Sequence, residues 1–255
     1  MSKLPEQHKF VDLSDYGRPA ARVIASSLSK TNFTPIHVTC AFIFSGLIAI
    51  YCILNDFLLL AAIFLVIKSI LDAADGELAR IKKTPSYTGR YFDSIADIIL
   101  NLLIMLAIYK ISETSISYTI IAFLGLQLQG TLYNYYYVIH RNKMGGDTTS
   151  RIFENDTPVA MKGEKQKHVQ RFFYIYNILY GNFDRIIYLL DRNATNGVDF
   201  PNWFLTAIST LGLGFQLLLI SIMLIIGWKE LIIPFFIGYT FLVIFFVWIR
   251  KVWLE

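Results

Sequence analysis

Residues 57–111 read FLLLAAIFLVIKSILDAADGELARIKKTPSYTGRYFDSIADIILNLLIMLAIYKI, two long apolar segments joined by a short charged connection. Segments 57–79 and 91–111 each have about the 20 residues that an α-helix needs to cross the hydrocarbon layer of a bilayer. The connection contains Pro85 and is short enough to return the second helix antiparallel beside the first. This stretch therefore predicts a hairpin of two membrane-spanning helices.

The composition of the whole chain is that of a membrane protein. Of its 255 residues, 55% are hydrophobic and 16% are charged, and its mean hydropathy is +0.50. A soluble domain has roughly 25% charged residues, and a disordered chain would lack the 20 Phe and 15 Tyr found here. Cys40 and Cys52 fall in one predicted helix, about 18 Å apart along its axis, which excludes a disulfide between them. The sequence indicates an all-α, polytopic membrane protein, for which we expect no signal peptide.

Six segments are predicted to span the membrane, because each is long enough and apolar on all faces. Of the 23 Lys and Arg residues, 20 lie on one side of the resulting topology, and only Lys110 and Lys229 lie on the other. By the positive-inside rule, we expect both termini to be cytoplasmic. The formal charge of +4 then reports orientation and not nucleic-acid binding. The predicted spans are 36–54, 57–79, 91–111, 117–140, 203–227 and 231–247.

Two further segments are predicted to be helices at the membrane surface. Segment 171–191 is long enough to span, but central ionised residues would cost roughly 2.5–3.5 kcal/mol each inside the bilayer. Segment 14–29 combines basic and apolar residues in a way that suits an interfacial helix. The chain is thus divided into a cytoplasmic or interfacial N-terminal segment, 1–35, and a membrane domain, 36–255, that includes a cytoplasmic loop, 141–200.

Four carboxylates occur where membrane helices rarely have any. Asp72 and Asp75 lie near the predicted cytoplasmic end of the second span, and Asp93 and Asp97 open the third. Spacings of three and four place each pair on one helix face, so the two acidic faces can meet. Divalent cations would relieve their repulsion, and oxygen ligands suit Mg²⁺ or Mn²⁺ better than zinc. Two such ions would fit the two-metal chemistry of phosphoryl transfer. The alternative is that the four residues cap helices or pair with basic neighbours, namely Arg80, Lys82, Lys83 and Arg90.

Gly76 and Arg80 follow the first acidic pair on the same helix. Because glycine costs about 1 kcal/mol inside a helix, Gly76 indicates either close approach of a ligand or packing of a neighbouring helix against small residues. Arg80, one turn later, is placed to meet a phosphate.

The combined pattern is Asp72-x-x-Asp75-Gly76-x-x-Ala79-Arg80, eight residues, then Gly89-x-x-x-Asp93-x-x-x-Asp97. It resembles the signature of CDP-alcohol phosphotransferases, a family also called CDP-alcohol phosphatidyltransferases. All eight fixed positions are present with the expected gap, and the six spans extend the resemblance over most of the chain. Residues 34–39 also resemble the family's entry to its first span, although Ile36 stands where the family typically has Asn.

The resemblance implies a site and a reaction. Asp72, Asp75 and Asp93 would ligate Mg²⁺ or Mn²⁺, as would Asp97 in most members. Asp97 would also be the base that activates the acceptor hydroxyl, whose oxygen attacks the β-phosphorus of a CDP-linked donor and releases CMP. The CDP pocket would be lined by Gly76, Ala79, Arg80 and Gly89.

The resemblance also implies a biological setting. Members are commonly homodimers, and the modest length and six spans resemble prokaryotic members, which lie in an inner or plasma membrane. This favours CDP-diacylglycerol as donor, in phospholipid biosynthesis. The alternative is a CDP-choline or CDP-ethanolamine type of donor with diacylglycerol as acceptor.

Four basic residues are candidates for contact with a substrate phosphate. For Lys68, an equal alternative is that it offsets the acidic cluster. For the other three, Arg141, Lys143 and Arg151, the alternative is the ordinary excess of basic residues on the cytoplasmic side. The four are Lys68, Arg141, Lys143 and Arg151.

Two other functional classes can be compared with the sequence. A polyprenyl transferase with aspartate-rich motifs would normally have more spans and separate acidic clusters. An ion-coupled transporter would have carboxylates near the bilayer midplane, repeated halves and broken helices. We expect neither a repeat nor a broken helix in this chain.

Overall fold

The computed structural model describes residues 4–146, 154, 156–197 and 199–254. Within these residues the secondary structure is entirely helical, which confirms the all-α prediction. The helices are α1 (Arg18–Ser29), α2 (Pro35–Leu54), α3 (Leu58–Lys82), α4 (Tyr87–Ile111), α5 (Ile116–Lys143), α6 (Gln166–Leu190), α7 (Asn202–Ile208), α8 (Leu213–Ile225), α9 (Ile232–Tyr239) and α10 (Phe241–Trp253).

The central hairpin is formed by α3 and α4, and its turn is set by local backbone chemistry. Lys83 ends α3 in the left-handed conformation, with φ of 54°, which is a common way to terminate a helix. Ser86 then begins α4 by accepting a hydrogen bond from the Gly89 N–H at 2.8 Å. Both helices pack against α2, through a hydrogen bond from Ser45 to the Phe64 carbonyl (2.8 Å) and through Gly46 beside Leu100.

Not every predicted span passes a test of length and apolar character. Helices α2 and α4 and the segment 229–253 pass it singly, and α7 and α8 pass it together as a pair bent by 54°. Helix α3 has 25 residues and α5 has 28, which is long enough, but α3 carries several charged residues and α5 is rich in Tyr and Gln. The structure therefore supports three or four spans by composition, and α3 and α5 stay predicted spans.

The prediction of one continuous helix over 203–227 is wrong. The chain breaks after α7 into a short 3₁₀ turn and then into extended backbone at Gly212. The N-terminal segment occupies this break, because the Leu13 N–H donates to Ser209 Oγ (2.9 Å) and the Gly214 N–H donates to Ser14 Oγ (3.0 Å). The expected absence of a broken helix is thus corrected.

The last predicted span, 231–247, lies within the single apolar segment 229–253, in which α9 and α10 meet at Thr240 and the Thr240 backbone keeps helical angles. The Thr240 hydroxyl donates back to the Phe236 carbonyl (2.8 Å) and accepts a hydrogen bond from the Gln129 amide (3.0 Å). Such back-bonding often bends a helix, and α10 continues beyond the predicted end to Trp253.

Both segments predicted at the membrane surface are helical, as α1 and α6. Helix α6 contacts the first turns of α4, where Tyr176 packs on Tyr91 and Tyr180 donates to the Ser94 carbonyl (3.0 Å). At its other end, Ile187 packs among residues of the C-terminal half of α5. Helix α6 therefore crosses one end of the helix bundle, which suits the predicted interfacial position.

A buried ion pair ties the last helix to the end of α6. Asp191 is completely buried and accepts a hydrogen bond from Arg250 Nε at 2.6 Å, while the exposed fraction of Arg250 is 1%. Tyr136 of α5 donates its hydroxyl to the same carboxylate at 2.6 Å. Three elements that are distant in the sequence thus share one set of polar contacts.

We expect Asp191→Ala to lower the free energy of unfolding by about 3–5 kcal/mol, because it leaves a buried guanidinium without its counter-charge. Thermal or chemical unfolding of the protein in detergent micelles measures this. The matched control is Lys229→Ala, which breaks the surface pair with Asp56 (3.2 Å) without changing the left-handed Asp56 (φ 61°), and it should cost at most about 1 kcal/mol. Equal losses in the two variants would contradict the importance of the buried pair.

Candidate active site

Three of the four predicted carboxylates converge. Asp72 and Asp75 of α3 and Asp93 of α4 each offer one oxygen, and these oxygens lie within 4.8 Å of one another. Asp75 also accepts a hydrogen bond from the Thr39 hydroxyl of α2 at 2.7 Å. Asp93 Oδ1 is buried and has no hydrogen-bond partner. An all-oxygen set with an unpartnered buried carboxylate oxygen has the ligand chemistry of a hard divalent cation.

Asp97 lies outside this group of three. Its carboxylate accepts a hydrogen bond from Lys68 Nζ, on the neighbouring helix α3. Lys68 is completely buried, and its Nζ also lies 5.1 Å from the ring centroid of Phe42. Asp97 lines the large cavity described next, whereas Lys68 is not part of the cavity wall. Of the two roles left open for Lys68, this geometry supports compensation of acidic charge.

One cavity of about 1530 Å³ contains every position of the motif in its lining. Its walls come from α2, α3, α4, α5, α6 and α8, and from the N-terminal segment before α1. The volume exceeds that of an ordinary small-molecule site of about 300–1,000 Å³, so it can hold more than one substrate. The motif residues in the lining are Asp72, Asp75, Gly76, Ala79, Arg80, Gly89, Asp93 and Asp97.

Gly76 faces this cavity rather than a neighbouring helix. A Cβ placed on Gly76 would have the Arg80 guanidinium nitrogens as its nearest neighbours, at 3.5 Å. Arg80 belongs to the same helix and also forms an ion pair with Glu77 at 3.3 Å. The structure therefore supports the ligand-approach interpretation of Gly76 over helix packing.

The other predicted phosphate contacts are placed differently from one another. Arg141 lines the cavity, is 4% exposed, and lies over the ring of Tyr137 at 5.7 Å. Lys143 is directed elsewhere, because its Nζ donates to the Gly197 carbonyl at 2.5 Å. Arg151 lies outside the described residues.

A family comparison covers the part of the chain that contains the motif. The model of the CDP-alcohol phosphatidyltransferase family matches residues 32–192, which extend from the turn before α2 through α6. The chain belongs to the CDP-alcohol phosphatidyltransferase family. Its members are phosphotransferases that move a phosphate group from a CDP-alcohol to an acceptor in phospholipid synthesis. A search of curated proteins finds no match to this chain.

Several residues around the site of this family member had no local signal in the sequence. Glu77 pairs with Arg18 of α1 and Arg80, and so fixes α1 to the helix that carries the motif. Arg90 pairs with Glu154 at 2.6 Å, across more than sixty residues of chain. Such partners are set by tertiary packing, and the spacing of charges along the chain does not indicate them.

Glu164, in the polar loop after α5, caps the start of α4. Its carboxylate accepts hydrogen bonds from the backbone N–H groups of Thr88 (2.7 Å) and Tyr87 (3.2 Å) and from the Ser86 hydroxyl (2.8 Å). Burial opposes its ionisation, but these hydrogen bonds outweigh that effect and hold the pKa of Glu164 below its ordinary value of 4.5. The loop is thereby fixed to the helix that carries two of the aspartates.

We expect Glu164→Gln to lower the melting temperature in detergent at neutral pH, because an amide is a poorer acceptor for a helix N-terminus. The folded pKa of Glu164 is depressed, so its contribution is complete above about pH 4.5 and is lost as the pH falls through the folded pKa. The difference between wild type and variant should therefore shrink as the pH is lowered. The control is Glu113→Gln, because Glu113 is exposed and lies in the connection between α4 and α5. A difference that stays constant down to about pH 3 would contradict the assignment.

Proposed function

We propose that this chain transfers a substituted phosphate group from a CDP-linked donor to an acceptor hydroxyl and releases CMP, with Mg²⁺ or Mn²⁺ as cofactor. The observation that carries the proposal is the lining of one cavity by all eight motif residues, with three carboxylate oxygens within 4.8 Å of one another. Membership of a family of CDP-alcohol phosphotransferases supports the same reaction.

Asp72, Asp75 and Asp93 would hold the cations, and Asp97 would join them from the same face of α4. When bound, the ions would neutralise the diphosphate and stabilise the charge that develops on CMP. Thr39 helps to orient this set, because its hydrogen bond to one oxygen of Asp75 leaves the other oxygen available. Two ions suit a set of four carboxylates better than one, on grounds of charge.

Asp97 is proposed as the general base. In the transfer step the acceptor oxygen forms a bond to the β-phosphorus, the bond from that phosphorus to the CMP oxygen breaks, and the hydroxyl proton passes to the Asp97 carboxylate. Lys68 is a positioning residue here, because its ammonium group holds Asp97 in one orientation from behind the cavity.

The CDP portion is proposed to lie along Gly76, Ala79, Arg80 and Gly89. The guanidinium of Arg80 is in the cavity wall one turn from the carboxylates, within reach of a diphosphate. Arg141, from the opposite helix α5, is a second candidate for phosphate contact. Lys143 and Arg151 complete the predicted set, although the Nζ of Lys143 is engaged with the Gly197 carbonyl.

We favour CDP-diacylglycerol as donor, with a CDP-choline or CDP-ethanolamine type of donor and a diacylglycerol acceptor as the alternative. Family analogy supports a homodimer in a prokaryotic inner or plasma membrane. The distribution of basic residues supports a cytoplasmic site and cytoplasmic termini. The segment 36–255 is proposed as one membrane domain, preceded by the segment 1–35.

We expect Asp72→Asn, Asp75→Asn or Asp93→Asn to reduce CMP release from a CDP-linked donor by about 100-fold or more, and chelation of divalent ions to abolish it. Asp97→Asn should cost a similar factor through loss of the base. The measurement is CMP release by purified protein in lipid or detergent, with Mg²⁺ or Mn²⁺ and an acceptor alcohol. Asp56→Asn, at the opposite end of α3, is the control. Full turnover by Asp97→Asn would contradict the proposed site.

Gly76→Ala separates catalysis from stability. The nearest obstacle to a methyl group is the flexible Arg80 side chain at 3.5 Å, so the variant should be as stable as wild type or more stable by about 0.5–1 kcal/mol. CMP release should nevertheless fall by about tenfold or more, because the methyl group and a displaced Arg80 occupy the CDP pocket. Gly238→Ala, in α9 with open space around it, is the control and should keep its activity. A destabilised but active Gly76→Ala would contradict this interpretation.

A further inference from the structure

Three neutral amides line the inner end of the cavity, beyond the carboxylates. They are Asn101 of α4, Gln127 of α5 and Gln216 of α8. The exposed fractions of the three residues are 5%, 5% and 1%. Immediately beyond them, Ile104, Leu217 and other apolar side chains form a closed core. The amides are thus the last polar groups of the cavity before the apolar interior.

Each of these amides has a buried polar atom without a hydrogen-bond partner. The three atoms are Asn101 Oδ1, Gln127 Nε2 and Gln216 Oε1. A buried polar group without a partner is costly, and in a cavity wall it indicates a ligand or an ordered water. The three residues come from three helices and line one cavity, and contacts between the helices leave all three atoms without a partner.

The orientation of the Gln216 amide is fixed by its other contacts. Its Nε2 donates to the Leu126 carbonyl (3.1 Å), an atom that can only accept, and to Gln129 Oε1 (3.0 Å). Gln216 Oε1 is therefore the carbonyl oxygen, and it needs a donor. A hydrocarbon chain or a lipid ester group has no donor, whereas a hydroxyl group has one and can also accept from Gln127.

The position of Asn101 relates this group to the chemistry. Asn101 follows Asp97 by four residues on α4, so it lies on the same helix face about 6 Å farther along the axis. A molecule whose reacting hydroxyl meets Asp97 can thus place a second hydroxyl among the amides. No charged side chain belongs to this group of three, so it suits an uncharged part of a molecule.

We propose that Asn101, Gln127 and Gln216 form a subsite that recognises a second hydroxyl group of the acceptor alcohol. This inference rests on the proposed function and deepens it. The acceptor is then a polyol, whereas the ester groups of a monohydroxy lipid such as diacylglycerol can accept from Gln127 Nε2 but leave the Asn101 and Gln216 oxygens without a donor. The subsite thereby favours the reaction in which the lipid is the donor.

The test measures CMP release by the full chain in detergent, with Mn²⁺ or Mg²⁺ and CDP-diacylglycerol or CDP-choline as donor. The acceptor probes are glycerol against 1-propanol, myo-inositol against cyclohexanol, and serine and diacylglycerol. For wild type we expect kcat/KM to be about tenfold higher with a polyol than with its monohydroxy counterpart. Gln127→Leu and Asn101→Leu should remove most of this preference, mainly through KM.

Three further measurements keep the result interpretable. Gln127→Met, which keeps the length of the side chain, replaces Gln127→Leu if the latter unfolds. Asn177→Leu makes the same change of chemistry at an exposed position of α6 and should leave the preference for polyols unchanged. Glycerol and myo-inositol should raise the melting temperature of wild type more than that of Gln127→Leu, which is a readout independent of turnover.

The outcomes separate the two proposals. CMP release with an undiminished preference for polyols in both variants overturns the subsite, as does a wild-type preference for 1-propanol, serine or diacylglycerol. In either case the amides bind only water, and the transferase function stands. The absence of CMP release from every donor and acceptor pair overturns the proposed function itself and the subsite with it.

Discussion

The enclosure of four carboxylates between α3 and α4, two of them buried and two half-buried, is the constraint on which the rest of the structure depends. An ionised carboxylate removed from water is costly unless a charge or hydrogen-bond donor compensates it. The structure compensates two of the four from within the protein, with Lys68 beside Asp97 and Thr39 beside Asp75. The oxygens that stay uncompensated converge instead of separating, and like charges are stable at that distance when a cation or a proton lies between them.

That constraint also explains the shape of the surrounding bundle. Helices α3 and α4 both pack against α2, and the space between their acidic faces is left open as the cavity. The rest of the wall comes from α5, α6 and α8 and from the N-terminal segment, which enters at the break between α7 and α8. The tight approach of Ser14 leaves no room for a side chain at Gly214, because a Cβ there would lie 1.9 Å from the Ser14 carbonyl oxygen. The broken helix thus builds part of the cavity wall.

The sequence predicts those features that depend on spacing along one or two helices. The acidic faces, the hairpin and the helices at 14–29 and 171–191 follow from periodicity and turn residues, and all of them are present. It does not predict contacts between distant segments. Glu164 at the start of α4 and Glu154 beside Arg90 look like ordinary loop charges. The break at 209–212 contains no proline, and the N-terminal segment contacts it through the Ser209 side chain and satisfies the backbone N–H of Gly214 just beyond it.

The buried amides also separate what the sequence predicts from what only the fold shows. Asn and Gln in a long apolar helix indicate polar contacts, but only the fold shows that Asn101, Gln127 and Gln216 face one cavity. Along α4, the residues proposed for metal, base and acceptor follow at intervals of four: Asp93, Asp97 and Asn101. Each step advances about 6 Å along the same face, from the end with basic residues towards the apolar core. With the roles proposed above, a nucleotide diphosphate held by Arg80 and cations would lie in the outer part of the cavity. An uncharged acceptor would then occupy the inner part, so the order of residues on one helix face would set which reactant lies on each side of the bond that forms.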